Sequence, residues 1–326
     1  MKPFSRHARY AARAAALAGL LAFNSAYSQE WPDKPVRIVV PFGPGGGTDI
    51  QGRLLSKKFY ESMGQTFVVD NRPGAAGLIG ADQVAKAPPD GYTILFTTAS
   101  LSVNVTLYKK TIAFDPVKDL VPVSWISSVP LLLVVHPTVP AKSVQELVAL
   151  AKKDDKLTAG SNGAGTTSFL AVEMLNQATG LHTVNVTYKG GGPAITALIG
   201  GEVDFEFATA LSAAPHLKSG KVRALAVTTA KPAAAYPNLP TMNSLYPGFD
   251  VDNWYAMFMP AGTPRAIVDK LNAELIKALK STDVQSYMAK EGGQPVGSTP
   301  QELATMFQQE VTKYARVIGN AHIAAQ

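Results

Sequence analysis

The sequence predicts an α/β protein of two lobes, each a mostly parallel sheet flanked by helices, with a cleft between them. Three observations lead there. Apolar strand patterns alternate with amphipathic helix patterns at the spacing of right-handed βαβ units. The alternation breaks between Asp115 and Pro130 and then restarts as a second series. Each series has a glycine-rich loop running directly from a strand into a helix, a backbone arrangement that suits an anion because the first turn of a helix leaves N–H groups unpaired.

With 326 residues, 46% hydrophobic and 17% charged, the chain can bury a large core, and its length favours two domains. The N-terminus reads separately. Lys2, Arg6, Arg9 and Arg13 precede the apolar run Ala14 to Phe23 and then Ala26-Tyr27-Ser28, the order of a secretory signal occupying residues 1–28. That run is too short for a permanent anchor, so an exported, soluble mature chain is expected. The formal charge of +6 includes those four cations, leaving +6 minus 4, or +2, for the mature chain. Nucleic acid is therefore not an expected partner. Cysteine is absent, which excludes disulfides.

The first strand, Val36 to Val40, enters Pro41-Phe42-Gly43-Pro44-Gly45-Gly46-Gly47-Thr48-Asp49 and a helix with Ile50, Leu54, Leu55 and Phe59 on one face. Phe42, Gly43, Gly45, Gly46, Gly47, Thr48 and Asp49 are candidate ligand residues, since glycines let a backbone approach a bound group closely. The loop has neither the Gly-Lys-Ser/Thr ending of a P-loop nor Gly-x-Gly-x-x-Gly spacing, so no nucleotide cofactor is expected. A turn that only closes strand onto helix is the alternative.

Next come a strand at Phe67-Val68-Val69, a loop from Asp70 to Gly77, a helix from Ile79 to Lys86 and a strand from Tyr92 to Phe96. Thr98 and Ser100 stand at the carboxyl edge of that strand, where open α/β sheets bind ligands. They serve equally as caps for the adjoining helix or turn.

The second series begins with the strand Leu131 to Val135 and a capping box at Ser143 and Glu146. A short strand, Leu157 to Ala159, leads into Gly160 to Thr167, whose Ser161, Asn162, Gly163, Gly165, Thr166 and Thr167 are the second set of ligand candidates. A helix from Ser168, a strand from Val184 to Tyr188 and a turn at Lys189 to Pro193 add Lys189 and Gly190. Asp204, opening the strand Val203 to Phe207, reads either as a ligand contact or as a carboxylate that orders a loop.

After strands at Val222 to Thr228 and Trp254 to Met259, helices start at Pro264 and, through a Thr299 to Glu302 capping box, at Pro300. With one strand before them they return to the first sheet. The lobes then comprise 29–124 plus 252–326 and 125–251, joined by crossings near Val121 to Pro130 and Phe249 to Trp254, about which they close.

Pro41-Phe42-x-Pro44-Gly45-Gly46-x-x-Asp49, Asn71-Arg72-Pro73-Gly74-Ala75, Pro89-Asp90-Gly91-Tyr92-Thr93, Gly160-Ser161-x-Gly163-x-Gly165-Thr166, Tyr188-Lys189-Gly190-x-x-Pro193-Ala194, Gly200-Gly201-x-Val203-Asp204 and Pro260-Ala261-Gly262-Thr263-Pro264 occur in one order along the chain. Jointly they resemble the Bug-type extracytoplasmic receptors of tripartite tricarboxylate transporters. The resemblance implies a monomeric periplasmic binding protein of Venus-flytrap fold. A small organic carboxylate would lie between the two glycine loops on backbone N–H groups, hydroxyls and water, and a membrane permease of large and small subunits would receive it. Where many relatives carry His, His and Asp, this chain has Leu101, Phe169 and Ala197. If Leu101 and Phe169 face the cleft, an aromatic or partly apolar carboxylate is the better fit.

Two other classes compete. Ala159-Gly160-Ser161-Asn162-Gly163 differs from a nucleophile elbow only in its first residue, but His7, His136, His182, His216 and His322 stand in no triad context. Asp49, Asp204 and Glu206 offer oxygen ligands, yet no histidine pair has metal spacing, so no metal and no catalysis are expected. A receptor read by a signalling protein instead of a permease carries the same motifs.

Overall fold

The computed structural model describes residues 31–153, 156–290, 292–320 and 323; the expected leader, residues 1–28, and His322 lie outside them. Every helix and strand named below lies in the unit Lys34–Gln326. Its elements in order are β1 (Val36–Val40), α1 (Gly47–Met63), β2 (Phe67–Asn71), α2 (Leu78–Ala85), β3 (Thr93–Thr98), α3 (Ser100–Leu107), β4 (Leu120–Val135) and α4 (Val144–Lys153). Then come β5 (Thr158–Ser161), α5 (Thr167–Thr179), β6 (Val184–Thr187), α6 (Gly191–Ile199), β7 (Phe205–Thr209), α7 (Ala210–Lys218), β8 (Arg223–Val227) and α8 (Met242–Leu245). The chain closes with β9 (Asp252–Pro260), α9 (Arg265–Lys280), α10 (Thr282–Lys290), β10 (Gln294–Pro295) and α11 (Pro300–Asn320).

The strands run β2-β1-β3-β9-β4-β7-β5-β6, with β8 and β10 also on β4. β1 pairs in parallel with β2 and β3, and β5 in parallel with β6 and β7, as buried βαβ units require. Between these parallel halves stand two long antiparallel strands. β4 pairs with β9 as far as Pro130, then with β7 and β8 from Leu131 onward. One strand thus belongs to both lobes. The sequence signal for its first half is weak because Pro122 and Pro130 interrupt it, and proline donates no ladder hydrogen bond.

Each half has its own core. Val39, Leu95, Trp254, Phe258, Leu303, Phe307 and Tyr314 share one, so the C-terminal helices do return to the first sheet. Leu133, Leu147, Leu175, Phe205 and Phe207 share the other. The Thr299 capping box forms in full, with Glu302 N donating to Thr299 Oγ1 at 3.2 Å and Thr299 N donating to Glu302 Oε2 at 2.8 Å. At Ser143 the Oγ accepts from Glu146 N at 3.1 Å, but the Glu146 carboxylate accepts from Lys142 N at 2.7 Å. No described helix is long and apolar enough to cross a membrane.

Candidate functional site

The loop after β1 is locked from behind. Asp49 accepts from Gly45 N at 3.0 Å and from Arg53 Nε at 3.1 Å, with Arg53 Nη2 at 2.9 Å from its other oxygen. Burial raises the Asp49 pKa, but the bonds from Arg53, Gly45 and Asn71 outweigh it, and the net shift is downward. Asn71 Nδ2 donates to Phe42 O at 3.0 Å. The carboxylate of Asp49 therefore shapes the loop from behind the pocket wall.

The second loop is ordered by its own threonine. Thr166 Oγ1 donates to Gly163 O at 2.8 Å and accepts from Phe169 N at 3.2 Å, which makes Thr166 the N-cap of α5. Gly163 and Gly165 take φ of 124° and 85°, a region open to glycine and rarely to other residues.

These two loops face a common pocket. Its walls are Phe42, Gly46, Gly47 and Thr48 from the first loop and Asn162, Thr166 and Thr167 from the second. Thr98 and Ser100 stand on the first-lobe side, with their hydroxyls 3.0 Å apart. Gly191, Thr209, Asn253 and Tyr255 complete it. The remaining space is about 20 Å³, room for roughly one water molecule.

The last four were missing from the sequence-derived set. Thr209 ends β7 as Thr98 ends β3, and a hydroxyl at the carboxyl edge of a strand was the available signal. Asn253 and Tyr255 are two apart on β9 and so share a face. Thr167 Oγ1 donates to Asn253 Oδ1 at 3.0 Å, a bond from α5 to β9. The Tyr255 hydroxyl is buried beside the Thr209 and Asn253 side chains, and burial pushes its pKa far above the usual range against the opposing hydrogen bonds from those two. It abuts the helix start so closely that a Cβ on Gly47 would lie 2.2 Å from it. A protonated hydroxyl held there can donate to an acceptor in the pocket.

Other candidates have different roles. Gly43 N donates to Lys189 O at 2.7 Å, and a Cβ on Gly190 would meet Gly43 N at 2.9 Å. The third glycine turn is thus packed against the first, backbone to backbone. Gly165 lies under Asn104 and Tyr108. Ser161 is fully buried and its hydroxyl lies outside the pocket, and no histidine lines the pocket to activate it.

Two expectations need correction. Asp204 accepts from Thr158 N at 2.7 Å and Thr158 Oγ1 at 3.1 Å. It sits five residues before Thr209, roughly 16 Å along the strand, so it orders the far edge of the sheet. Leu101 and Phe169 are 3% and 2% exposed and line no part of the pocket. Leu101 packs in the first core. An aromatic solute gains no support from these two side chains.

No cationic side chain lines the pocket; it offers seven hydroxyls, two amides and the starts of α1, α5 and α6. Among the described residues no acidic or histidine cluster is placed to hold a metal.

Residues 52–323 match the model of the tripartite tricarboxylate transporter family receptor. The chain is similar to the periplasmic binding protein BugD, with 35% identity over 91% of this chain and 100% of that one, at a TM-score of 0.88. It is also similar to an R. palustris protein solved with adipate, at 35% identity, 90% and 99% coverage and a TM-score of 0.87. MatC from Rhodopseudomonas palustris, with bound malate, is 32% identical over 88% and 100% of the two chains, at a TM-score of 0.84.

Proposed function

The chain belongs to the tripartite tricarboxylate transporter receptor family, and from that premise we propose that it is a periplasmic receptor for a small organic carboxylate, which it presents to a membrane permease. Family members are solute-binding receptors and not enzymes. One observation carries the reading: two glycine loops from different lobes face a single pocket whose polar groups are all uncharged. Several neutral donors and helix N-termini in a poorly hydrated site stabilise one anion because the local dielectric is low and the dipoles are already oriented.

The adipate and malate held by two relatives support a small dicarboxylate as the solute. The lobes, 29–124 plus 252–326 and 125–251, close as a monomer about two strands. One is β4, where its pairing passes from β9 to β7 and β8; the other is the start of β9. A thermal-shift screen of the mature chain against acetate, succinate, malate, adipate and citrate tests this. A selective ligand at about 100 times its Kd adds about 2.7 kcal/mol of stability. No shift with any acid would remove the basis of the proposal.

A further inference from the structure

Resting on the carboxylate reading, we propose that a second chamber beside the pocket, walled by Phe42, Tyr108 and Tyr188 with Lys189 at its rim, is a subsite for the body and far end of the solute. The class it fits is an elongated acid with an apolar body and a second anionic end.

Volume separates the two spaces. The inner pocket has about 20 Å³, which leaves no room there for the body of an acid. The adjoining chamber has about 330 Å³ and shares Phe42 and Asn162 with the inner pocket. That size lies in the range of small-molecule sites. Those two residues stand between the two spaces.

The walls then define the chemistry. Three aromatic rings give flat apolar surface. Lys189 is exposed and, among the described residues, no acidic side chain is paired with it. Asn162, which both spaces share, has a buried Oδ1 without a hydrogen-bond partner.

A third observation is independent of both. The chamber is also lined by residues 74–77, whose φ angles are 137°, 45°, 53° and 93°. Two of these residues, Ala75 and Ala76, carry a Cβ, which makes a left-handed conformation costly. Asn104 Nδ2 holds the segment by donating to Ala76 O at 2.9 Å. Strain of this kind, maintained by a buried side chain, concentrates at ligand clamps. The far wall belongs to the other lobe, and Tyr108 Oη bridges to it by donating to Ala164 O at 3.3 Å. A solute lying across the chamber therefore touches both lobes.

Calorimetric titration with adipate and with hexanoate, on the mature chain and on Lys189→Gln, tests the subsite. The two acids share a six-carbon body and one carboxylate and differ in the second anion. The mature chain is expected to bind adipate about tenfold more tightly than hexanoate, and Lys189→Gln is expected to bring the two within about twofold. An unchanged ratio in the variant, or equal affinities in the mature chain, overturns the subsite. Tight binding of acetate or malate with no binding of either six-carbon acid also overturns it and leaves the receptor reading standing. Failure to bind hexanoate or any of the five acids of the thermal-shift screen overturns both.

Discussion

Gly192 is the sharpest test of how the loops meet. A Cβ built on it would lie 2.0 Å from Pro44 O, 3.0 Å from Gly45 C and 3.1 Å from Gly46 N. All three atoms belong to the opposing loop. Ordinary contact begins near 3.4 Å, so Gly192→Ala forces the loops apart by about 3.4 minus 2.0, or roughly 1.4 Å. The Gly43 N to Lys189 O bond, 2.7 Å in this structure, would stretch to roughly 4.1 Å, beyond hydrogen-bonding range. A carboxylate shared by both loops would lose one or two charge-assisted bonds, each worth about 1.5–3 kcal/mol. With the lost interloop bond offset by water, the expected cost is about 2–4 kcal/mol, or roughly 30- to 700-fold in Kd. The fold should not suffer, because Gly192 lies in the first turn of α6 and alanine is the better helix former by about 1 kcal/mol. Calorimetry with the tightest acid from the screen, beside thermal unfolding of the free protein, reads both quantities. Unchanged affinity would show that binding does not need this closure, and a fall in Tm of more than about 5 °C would show that the glycine serves folding.

Buried polar groups give three further expected outcomes. Tyr255→Phe removes a buried hydroxyl that neighbours the Thr209 and Asn253 side chains, so chemical denaturation should show stability changed by no more than about 1 kcal/mol, while carboxylate affinity falls about tenfold; unchanged affinity would remove Tyr255 from the site. Glu206 is fully buried with neither oxygen hydrogen-bonded, and burial raises its pKa well above the usual carboxyl range. Its folded form holds the proton more tightly than the unfolded form, so its contribution is complete below about pH 4 and declines as pH rises toward the folded value. Urea denaturation across pH 4 to 8 should show Glu206→Gln increasingly more stable than the parent, and a constant gap would contradict this. The Asp252 pKa is pushed up to about 6 by burial, against the opposing bond from Ser128. The same sign holds, with about 3 kcal/mol lost between pH 4 and 6 and a plateau above. Asp252→Asn should lack that descent, measured in the same way.

The fold was legible because its signals are local and repeated. A βαβ unit announces itself by apolar strand, glycine turn and amphipathic helix, and this chain repeats the pattern in both lobes. The caps at Ser143 and Thr299 were readable for the same reason, since both partners of each lie within three residues. What escaped was non-local. β4 could be read only in its second half, because Pro122 and Pro130 mask a strand held by pairing with β9. Asn253 and Tyr255 reach the pocket through that same pairing, and nothing in Asn253-Trp254-Tyr255 separates them from core. Leu101 and Phe169 misled in the opposite direction: a comparison with relatives suggested a cleft position, and packing made them core. Asp204 was chosen for its charge, although the strand it opens runs away from it toward the pocket.

The glycines show why motif and role diverge here. Gly46 and Gly47 line the pocket, and a Cβ would also crowd the start of α6 at Gly46 and the Tyr255 hydroxyl at Gly47. Gly43, Gly190 and Gly192 lie where two loops of different lobes touch, and the groups they would clash with are the opposing backbone. A side chain at any of these three acts first on the distance between the lobes, and on the solute only through it. The two requirements share one physical origin, since removing Cβ lets polar main chain approach an anion or another loop's main chain more closely than a side chain would allow. A receptor that recognises its solute by closing around it needs both kinds in the same loops. Substitutions at the second kind should weaken every acid by a similar factor, because they change a closure common to all of them, while substitutions along the aromatic chamber should change the ranking.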